Sequence, residues 1–542
     1  MMFYSEPIPE PNPPLDKVEV ALVVILALAW MLPGLVGHEP WKPDEAYNFG
    51  LVRHMIQSGN WLTFRLPDEA PFASPPLYYM TAALFGKVLS PLFSLPDAMR
   101  LATGFYMGIS LVFTALAGRI LYGNGRYAVL ILAGSLGLLG HAHQLIADSA
   151  LFAGCAVAIC GFALFPDRAL LGGCLAGIGM GIGFLSKGLV GIAFFLLPLL
   201  LLPLLGRPWR NLRYAAFFAA AAVFLLPWTI WPYLLYQDHP ALFYAWWHSS
   251  FSLSLGLGRE VQHQPFFYLG VLPWFAWPTL PLAMASLWHE RRRLGNKKTL
   301  LPAVFFVAML AILSVTQTAR ELYAMPMLLP LSLLATASID SLERSATSAF
   351  NWFGILTFGM TAGVLWVGWI ALMTGHPQYF AAKIHHYHPE FSAHFGFLPF
   401  VLACSATLLW MALAFRTEHN GKRSIINWAS GVVMVWTLLM TLWLPFLDSV
   451  KGYREMFLSM KSALPARYGC IEGRHLGDAQ RAMLDYYLGI ETKRDKTCKL
   501  ILIQTVSSNR RQPEGLKKLW EGARAGDRHE RYRLYIRKKG AE

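Results

Sequence analysis

Charge is the scarcest property of this sequence. Asp, Glu, Lys and Arg make up 14% of its 542 residues, against 55% hydrophobic ones. Several apolar runs approach or pass the length of a membrane span, about 20 residues, without an internal charge. That excludes a soluble globular chain and leaves an integral membrane protein. Cysteine is sparse too, six in all, with no CxxC or other zinc spacing. Cys155, Cys160, Cys174 and Cys404 fall in apolar runs and read as packing residues; Cys470 and Cys498 fall in a polar tail. No internal repeat or coiled-coil heptad is present. No small-residue cleavage site follows a short apolar core, so Val18–Val36 reads as an uncleaved span behind a Pro-rich, flexible cytoplasmic lead over residues 5–14.

The charges that do occur are mostly basic, for a net of +14. They sit in short loops between apolar runs and in the tail, which the positive-inside rule explains without a nucleic-acid partner. Expected spans are Val18–Val36, Ala98–Leu121, Tyr127–Leu145, Ser149–Phe165, Ala169–Ser186, Leu189–Leu205, Tyr214–Tyr236, Pro265–Trp288, Thr299–Thr316, Tyr323–Ile339, Phe350–Met373, Phe395–Phe415 and Ile425–Phe446, about thirteen by window length. The apolar stretch Pro75–Leu89 is short for a span and reads as an interfacial helix. If it crossed, the basic loops Arg119–Arg126, Arg207–Arg213, Arg291–Lys298 and Arg416–Arg423 would all face outward, against the rule.

The sequence therefore describes a polytopic α-helical membrane protein in two parts. Residues 1–447 form a transmembrane domain whose outer-face loop, 38–97, carries interfacial helices. Residues 448–542 form a small outward α/β domain, with strand patterns at Lys499–Val506 and Arg531–Arg537 and a helix at Gly477–Leu488. The Gly-rich run Gly172–Gly183 predicts close helix packing. If the tail faces an oxidising compartment, Cys470 and Cys498 are placed where a disulfide would persist.

This topology gathers polar pieces on one face: Asp44-Glu45, His141 and His143 to Asp148, Lys187, the loop Gln237–Gln264, Arg320-Glu321 and the loop Gly375–His394. Carboxylates at a membrane boundary are costly unless solvated, paired or used. Pro43, Asp44 and Glu45 also suit a plain helix start. Lys187 equally suits a boundary lysine with its amine at the interface, and Arg259 a solvated loop. His385, His386, His388 and Glu390 match no defined metal site and read as an exposed loop. His141 and His143 either line the cavity or pair with Asp148. Separated acids and nearby cations fit one chemistry well. A lipid-phosphate sugar donor carries its own leaving group, so it needs a base for the acceptor's proton and cations for the departing phosphate.

The motifs then add a resemblance. DEAYNFGLVRHMIQSGNWLTFRL from Asp44, P-P-L-Y-Y at Pro75–Tyr79, Asp148 before a span, F-L-S-K-G at Phe184–Gly188, H-Q-P-F-F-Y at His263–Tyr268, L-P-W at Leu272–Trp274 and R-E-L-Y-x-x-P-x-x-x-P at Arg320–Pro330 occur in order along nearly the whole chain. Together they resemble the C-type glycosyltransferases with the protein-mannosyltransferase-like (GT-C) fold, especially bacterial lipid A aminoarabinose transferases. The resemblance implies an inverting transferase in the bacterial inner membrane, with its site and C-terminus facing the periplasm. Its donor would be a polyprenyl-phosphate sugar and its acceptor a glycolipid or a protein. It implies Asp44 as base and Asp148 as a second acid of the site; Glu45, next to Asp44, is a further catalytic candidate or else supports Asp44 and the helix start. Lys187, Arg259, His263, Arg320 and Tyr323 would bind substrate. No cofactor is demanded, and a divalent metal stays open. Where those enzymes usually have Glu-Lys-Pro, this chain has Ala73-Ser74-Pro75, so an expected phosphate-binding lysine and a possible metal-binding glutamate are missing. A transporter of lipid-linked glycans would use similar acids and cations, but the inverted repeats common in that class are absent.

Overall fold

The computed structural model describes residues 17–66, 75–255, 264–292, 295–316, 319–337, 339, 343–389, 391–415, 421–493, 498–506, 515–527 and 529–537. Helix dominates, as it must where backbone polar groups have no water to bond. Among the described residues seven helices are long and apolar enough to cross a membrane. They are Leu95–Tyr122, Ala169–Leu205, Leu212–Asp238, Lys297–Val315, Arg344–Thr374, Phe397–Ala414 and Gly421–Thr441. The other expected spans are shorter or broken. Tyr127–Leu145 is split into helices Arg126–Ala133 and Leu136–His141, and Pro265–Trp288 into Phe267–Phe275 and Thr279–His289. Tyr323–Ile339 opens as a 3-10 turn, Glu321–Met327, before helix Leu328–Thr336. Proline lies at or near two of these breaks, Pro278 and Pro326, where its missing N–H interrupts the helical ladder.

The two spans expected at Ala169–Ser186 and Leu189–Leu205 meet at Gly188, whose left-handed φ of 61° breaks an otherwise continuous helical run. The chain doubles back there: a Cβ on Gly191 would lie 2.1 Å from the Gly183 carbonyl oxygen. Lys187 therefore sits at the tip of a helical hairpin. The first arm packs on helix Asp148–Leu164 backbone to backbone. A Cβ on Gly161 would meet the Gly172 carbonyl at 2.5 Å, and one on Gly179 would meet that of Gly154 at 2.5 Å. Only small residues permit this approach, and it sets the spacing between the segments that carry Asp148 and Lys187.

Helix Asp44–Ser58 begins with its two acids and ends on left-handed Gly59, whose N–H bonds Met55 O. Helix Leu77–Leu89 has 13 residues, about 20 Å at 1.5 Å per residue, too short for a hydrocarbon core of about 30 Å. Two regions expected as loops contain helices, Pro240–Leu255 and Gln378–Tyr387. In Pro240–Leu255 the aromatic and aliphatic side chains, Trp246 above all, gain by lying against apolar neighbours, whereas Gln378–Tyr387 buries no residue.

The tail forms an α/β layer. Strands β1 (Ile471–Arg474), β2 (Thr492–Lys493), β3 (Leu500–Val506), β4 (Leu516–Gly522) and β5 (Glu530–Arg537) lie in the order β2-β1-β3-β5-β4. The β2-β1-β3 pairs are parallel and the β3-β5-β4 pairs antiparallel. Helix Asp478–Leu488 joins β1 to β2. Cys470 and Cys498 form a disulfide, Cα atoms 5.3 Å apart, just ahead of the paired β1 and β3. This layer grips the loop before and along helix Asp44–Ser58. Lys42 pairs with Asp527 at 3.3 Å, Arg53 with Asp485, and Glu39 accepts from Arg454 at 3.3 Å and from Tyr487 at 3.1 Å.

Candidate active site

Asp44 and Glu45 open the same helix, and successive helical side chains diverge by about 100°. Asp44 faces Arg320, whose Nη2 lies 2.5 Å from its Oδ2. Glu45 turns inward and is 2% exposed. It accepts from Arg100 Nε at 2.6 Å, from the Trp41 amide at 3.0 Å and from the Leu145 amide at 3.3 Å. The last contact ties helix Asp44–Ser58 to the segment leading into Asp148. Asn48 adds a second tie, its amide donating to Leu145 O at 2.9 Å while its oxygen accepts from Tyr79 at 3.1 Å.

Asp148 lies in the first turn of its helix, and Lys187 Nζ approaches its Oδ1 at 3.0 Å. The same ammonium stands 4.4 Å from the Tyr323 ring centre, within cation–π range. Arg320 lies 5.8 Å from that ring. Its backbone N–H donates to the Tyr268 hydroxyl at 3.4 Å. The result is a row, Asp44, Arg320, Tyr323, Lys187, Asp148, in which two acid–cation pairs flank one aromatic ring. Lys187, Asp148 and Tyr323 line a cavity of about 260 Å³ with Tyr79, Ser186 and Trp246. Leu151, Val190, Phe194 and Leu313 supply its apolar share.

Some candidates lie elsewhere. His143 is committed to carbonyl oxygens, at 2.9 Å from Leu139 O and 2.8 Å from Trp30 O, and makes no bond to Asp148. His141 stacks on Phe275 at 6.1 Å; it is not among the cavity-lining residues but stays within electrostatic range of Asp148, Glu321, Asp44 and Arg320. His388 is buried and lies 3.4 Å from Glu455 of the tail. Arg259 and His263 are outside the described residues, as are Ala73, Ser74 and Glu390. Among the described residues no three His, Cys, Asp or Glu side chains converge on a metal position, and no step below is routed through one. Sequence reasoning missed Arg100 and Trp246, and had Tyr79 only inside the P-P-L-Y-Y motif, without a role. Arg100 carried a signal: it is a charge inside an apolar helix, which demands a partner. Trp246 carried none, because its stretch read as loop.

No family model matches the chain. Its fold is that of a GT-C glycosyltransferase: the crystal structure of ArnT from Cupriavidus metallidurans bound to undecaprenyl phosphate superposes with a TM-score of 0.69. The match covers 97% of this chain and 99% of that one at 18% identity. The apo state of the same protein matches with a TM-score of 0.69 at 17% identity, covering 95% and 97%. In sequence the chain is similar to proteins named undecaprenyl phosphate-alpha-4-amino-4-deoxy-L-arabinose arabinosyl transferase. One, from Pseudomonas aeruginosa strain UCBPP-PA14, is 29% identical over 365 residues, 62% of this chain and 63% of the relative. Another, from Sodalis glossinidius, is 31% identical over 347 residues, 58% of each. The chain thus spans less than two thirds of the length of these curated relatives. The resemblance drawn from the motifs is to the same proteins.

Proposed function

We propose that this protein is an inverting glycosyltransferase of a bacterial inner membrane. It moves a sugar from a polyprenyl-phosphate carrier to a periplasm-facing acceptor, lipid A, lipopolysaccharide or another envelope glycolipid. One observation carries the reading: two acid–cation pairs flank Tyr323 beside a cavity that is polar at Asp148, Ser186 and Lys187 and apolar at Leu151, Val190, Phe194 and Leu313. Such a lining suits a donor with an anionic phosphate on a long apolar chain. The relatives' names and the undecaprenyl phosphate held by the Cupriavidus protein support the same donor class.

In this reading the donor phosphate lies against Lys187, with Tyr323 beside it. The acceptor hydroxyl attacks the sugar carbon from the face opposite the phosphate, and the configuration inverts. Asp44 takes the hydroxyl proton as the new bond forms, help typically worth about 10²–10⁴ in rate. The phosphate leaves with the bonding electrons and is stabilised by the cations. Asp148 holds the Lys187 ammonium in place. Arg259 and His263 stay in the reading as further donor ligands.

The test is single-turnover transfer from a radiolabelled polyprenyl-phosphate sugar, with donor binding measured separately. Asp44→Asn should bind donor normally and transfer at least about a hundredfold more slowly. Near-parental transfer by this variant would reject Asp44 as base. Mass spectrometry of envelope lipids with and without the protein identifies sugar and acceptor; no altered glycolipid would reject the acceptor class. For orientation, a cysteine at His376 should react with an external reagent and one at Lys297 should not.

A further inference from the structure

The row of charges beside the cavity has a feature that the transfer reading does not use. Both acids are already neutralised by a cation, Asp148 by Lys187 and Asp44 by Arg320. The Arg320 guanidinium occupies Asp44 Oδ2 at 2.5 Å, on the side of the carboxylate that an acceptor hydroxyl would have to reach. The base assigned to the reaction is thus masked while the site is empty.

The two pairs are not equivalent. The Asp148 side chain is 7% exposed and that of Lys187 27%, whereas Asp44 is 32% and Arg320 43% exposed. Exposed pairs are screened and hold weakly, while a buried pair is costly to break. An incoming phosphate therefore competes for Arg320 far more readily than it separates Lys187 from Asp148. Arg320 lies against the Tyr323 ring, whose other cation, Lys187, lines the cavity. A rotation of the long arginine side chain across that ring carries its guanidinium from Asp44 toward the cavity. The guanidinium fork can also bridge a carboxylate and a phosphate at once.

Resting on the transfer reading, we propose that Arg320 is a donor-responsive latch: it holds Asp44 in the empty site and shifts to the donor phosphate, releasing Asp44 to act as base. The charges of the reaction favour the same movement. As the acceptor hydroxyl loses its proton, Asp44 goes from −1 to neutral. As the sugar–oxygen bond breaks, the phosphodiester becomes a monoester and gains one negative charge. One unit of negative charge thus moves from Asp44 to the phosphate, and Arg320 is the cation placed to follow it. Its attraction to the phosphate is stronger in the transition state than in the bound ground state, which is the condition for accelerating the chemical step. Arg320 also acts on Asp44 as a positioning residue, and donor would have to bind before the acceptor is activated.

The experiment labels carboxylates in the full-length protein in detergent with a carbodiimide and an amine tag, and reads Asp44 by peptide mass spectrometry. Undecaprenyl phosphate is the probe, and its binding is measured in parallel by equilibrium dialysis. In the parent protein, saturating undecaprenyl phosphate should raise Asp44 labelling about fivefold, the factor an exposed ion pair holds back. Arg320→Gln should label at the higher rate with or without the probe; a merely structural arginine would leave labelling insensitive to the phosphate. Bound undecaprenyl phosphate with unchanged or reduced Asp44 labelling would overturn the latch and leave the transfer reading standing. Failure of undecaprenyl phosphate to bind the parent protein would overturn both.

Discussion

Glu45 and Arg100 form an ion pair closed off from solvent, Nε to Oε1 at 2.6 Å, one residue away from the exposed acid Asp44. The Arg100 guanidinium also donates to Asp97 at 2.8 Å and to the carbonyls of Leu35 and His38 at 3.2 and 3.1 Å. It therefore joins the segment that follows the first helix (Lys17–Met31), the loop ahead of Asp44 and helix Leu95–Tyr122 at one point. Burial alone would push the Glu45 carboxyl up. Arg100, with His38 and the Trp41 amide, outweighs burial and holds it below the ordinary carboxylate value. Stability from this group is present above the unfolded carboxylate pKa and is lost as pH falls through the lower folded one.

Removing one partner of such a pair leaves a buried charge uncompensated. Arg100→Ala should cost about 3–5 kcal/mol, seen as lost expression or a large fall in detergent melting temperature. Arg100→Met combined with Glu45→Leu should recover much of that loss, since no charge remains buried. If the double variant melts no higher than Arg100→Ala, the Glu45–Arg100 pair is not what holds this corner.

Lys187 and Tyr323 make a cation–π contact at 4.4 Å, and contacts of this kind are worth about 0.5–2 kcal/mol. Tyr323→Phe keeps the ring and should retain donor affinity within a few-fold. Tyr323→Ala should lose about two- to thirtyfold, the same range as a ratio. Lys187→Gln should weaken donor binding more than either. Equal affinities for Tyr323→Phe and Tyr323→Ala in donor titrations would remove the ring from the site.

The disulfide closes a sequence separation of 28 residues across β1 and β3. Loop-closure entropy puts its contribution at about 3–4 kcal/mol. Intact mass after alkylation without reductant should show Cys470 and Cys498 unmodified. The Cys470→Ser/Cys498→Ser variant should shed protease-sensitive fragments from the tail at lower temperature. Two freely alkylated tail thiols in protein taken from the envelope would contradict the bond.

Asp448 accepts from both the Glu39 amide and the Trp41 indole, each at 2.9 Å and both on Oδ1. Burial pushes its pKa up to about 6. The folded protein thus holds a proton that the unfolded chain releases nearer 3.8. The stability this group confers is full below the unfolded value and is lost as pH rises toward 6, on the order of 3 kcal/mol. Asp448→Asn keeps the accepting oxygen and removes the charge. Its melting temperature should exceed the parent's at pH 8 and match it near pH 4. A variant less stable than the parent at pH 8 would show that the carboxylate charge is needed.

Composition and periodicity by themselves determined the class of this protein. Uncharged runs long enough for a bilayer admit little but helices, and the tail's β-branched content at Lys499–Val506 and alternation at Arg531–Arg537 marked the strands found at Leu500–Val506 and Glu530–Arg537. The glycines at positions 172–183 announced the helix seam, because close backbone approach needs small side chains whatever the rest of the fold does. Asp44, Glu45, Asp148, Lys187 and Arg320 were legible as candidates from their residue types and places at span ends, and Tyr323 only through the resemblance that its motif carries. Their partners were not. That Lys187 meets Asp148, that Arg320 meets Asp44 across 276 positions, and that Glu45 turns inward to Arg100 are long-range pairings. Local propensity is silent about them; they follow from how the Gly188 hairpin, the 3-10 turn at Tyr323 and helix Asp44–Ser58 pack together. Helix Pro240–Leu255 escaped for the same reason. Stretches bounded by Pro, His and Gln read as loops, and the apolar surfaces that Trp246 and its neighbours cover exist only once the chain has folded.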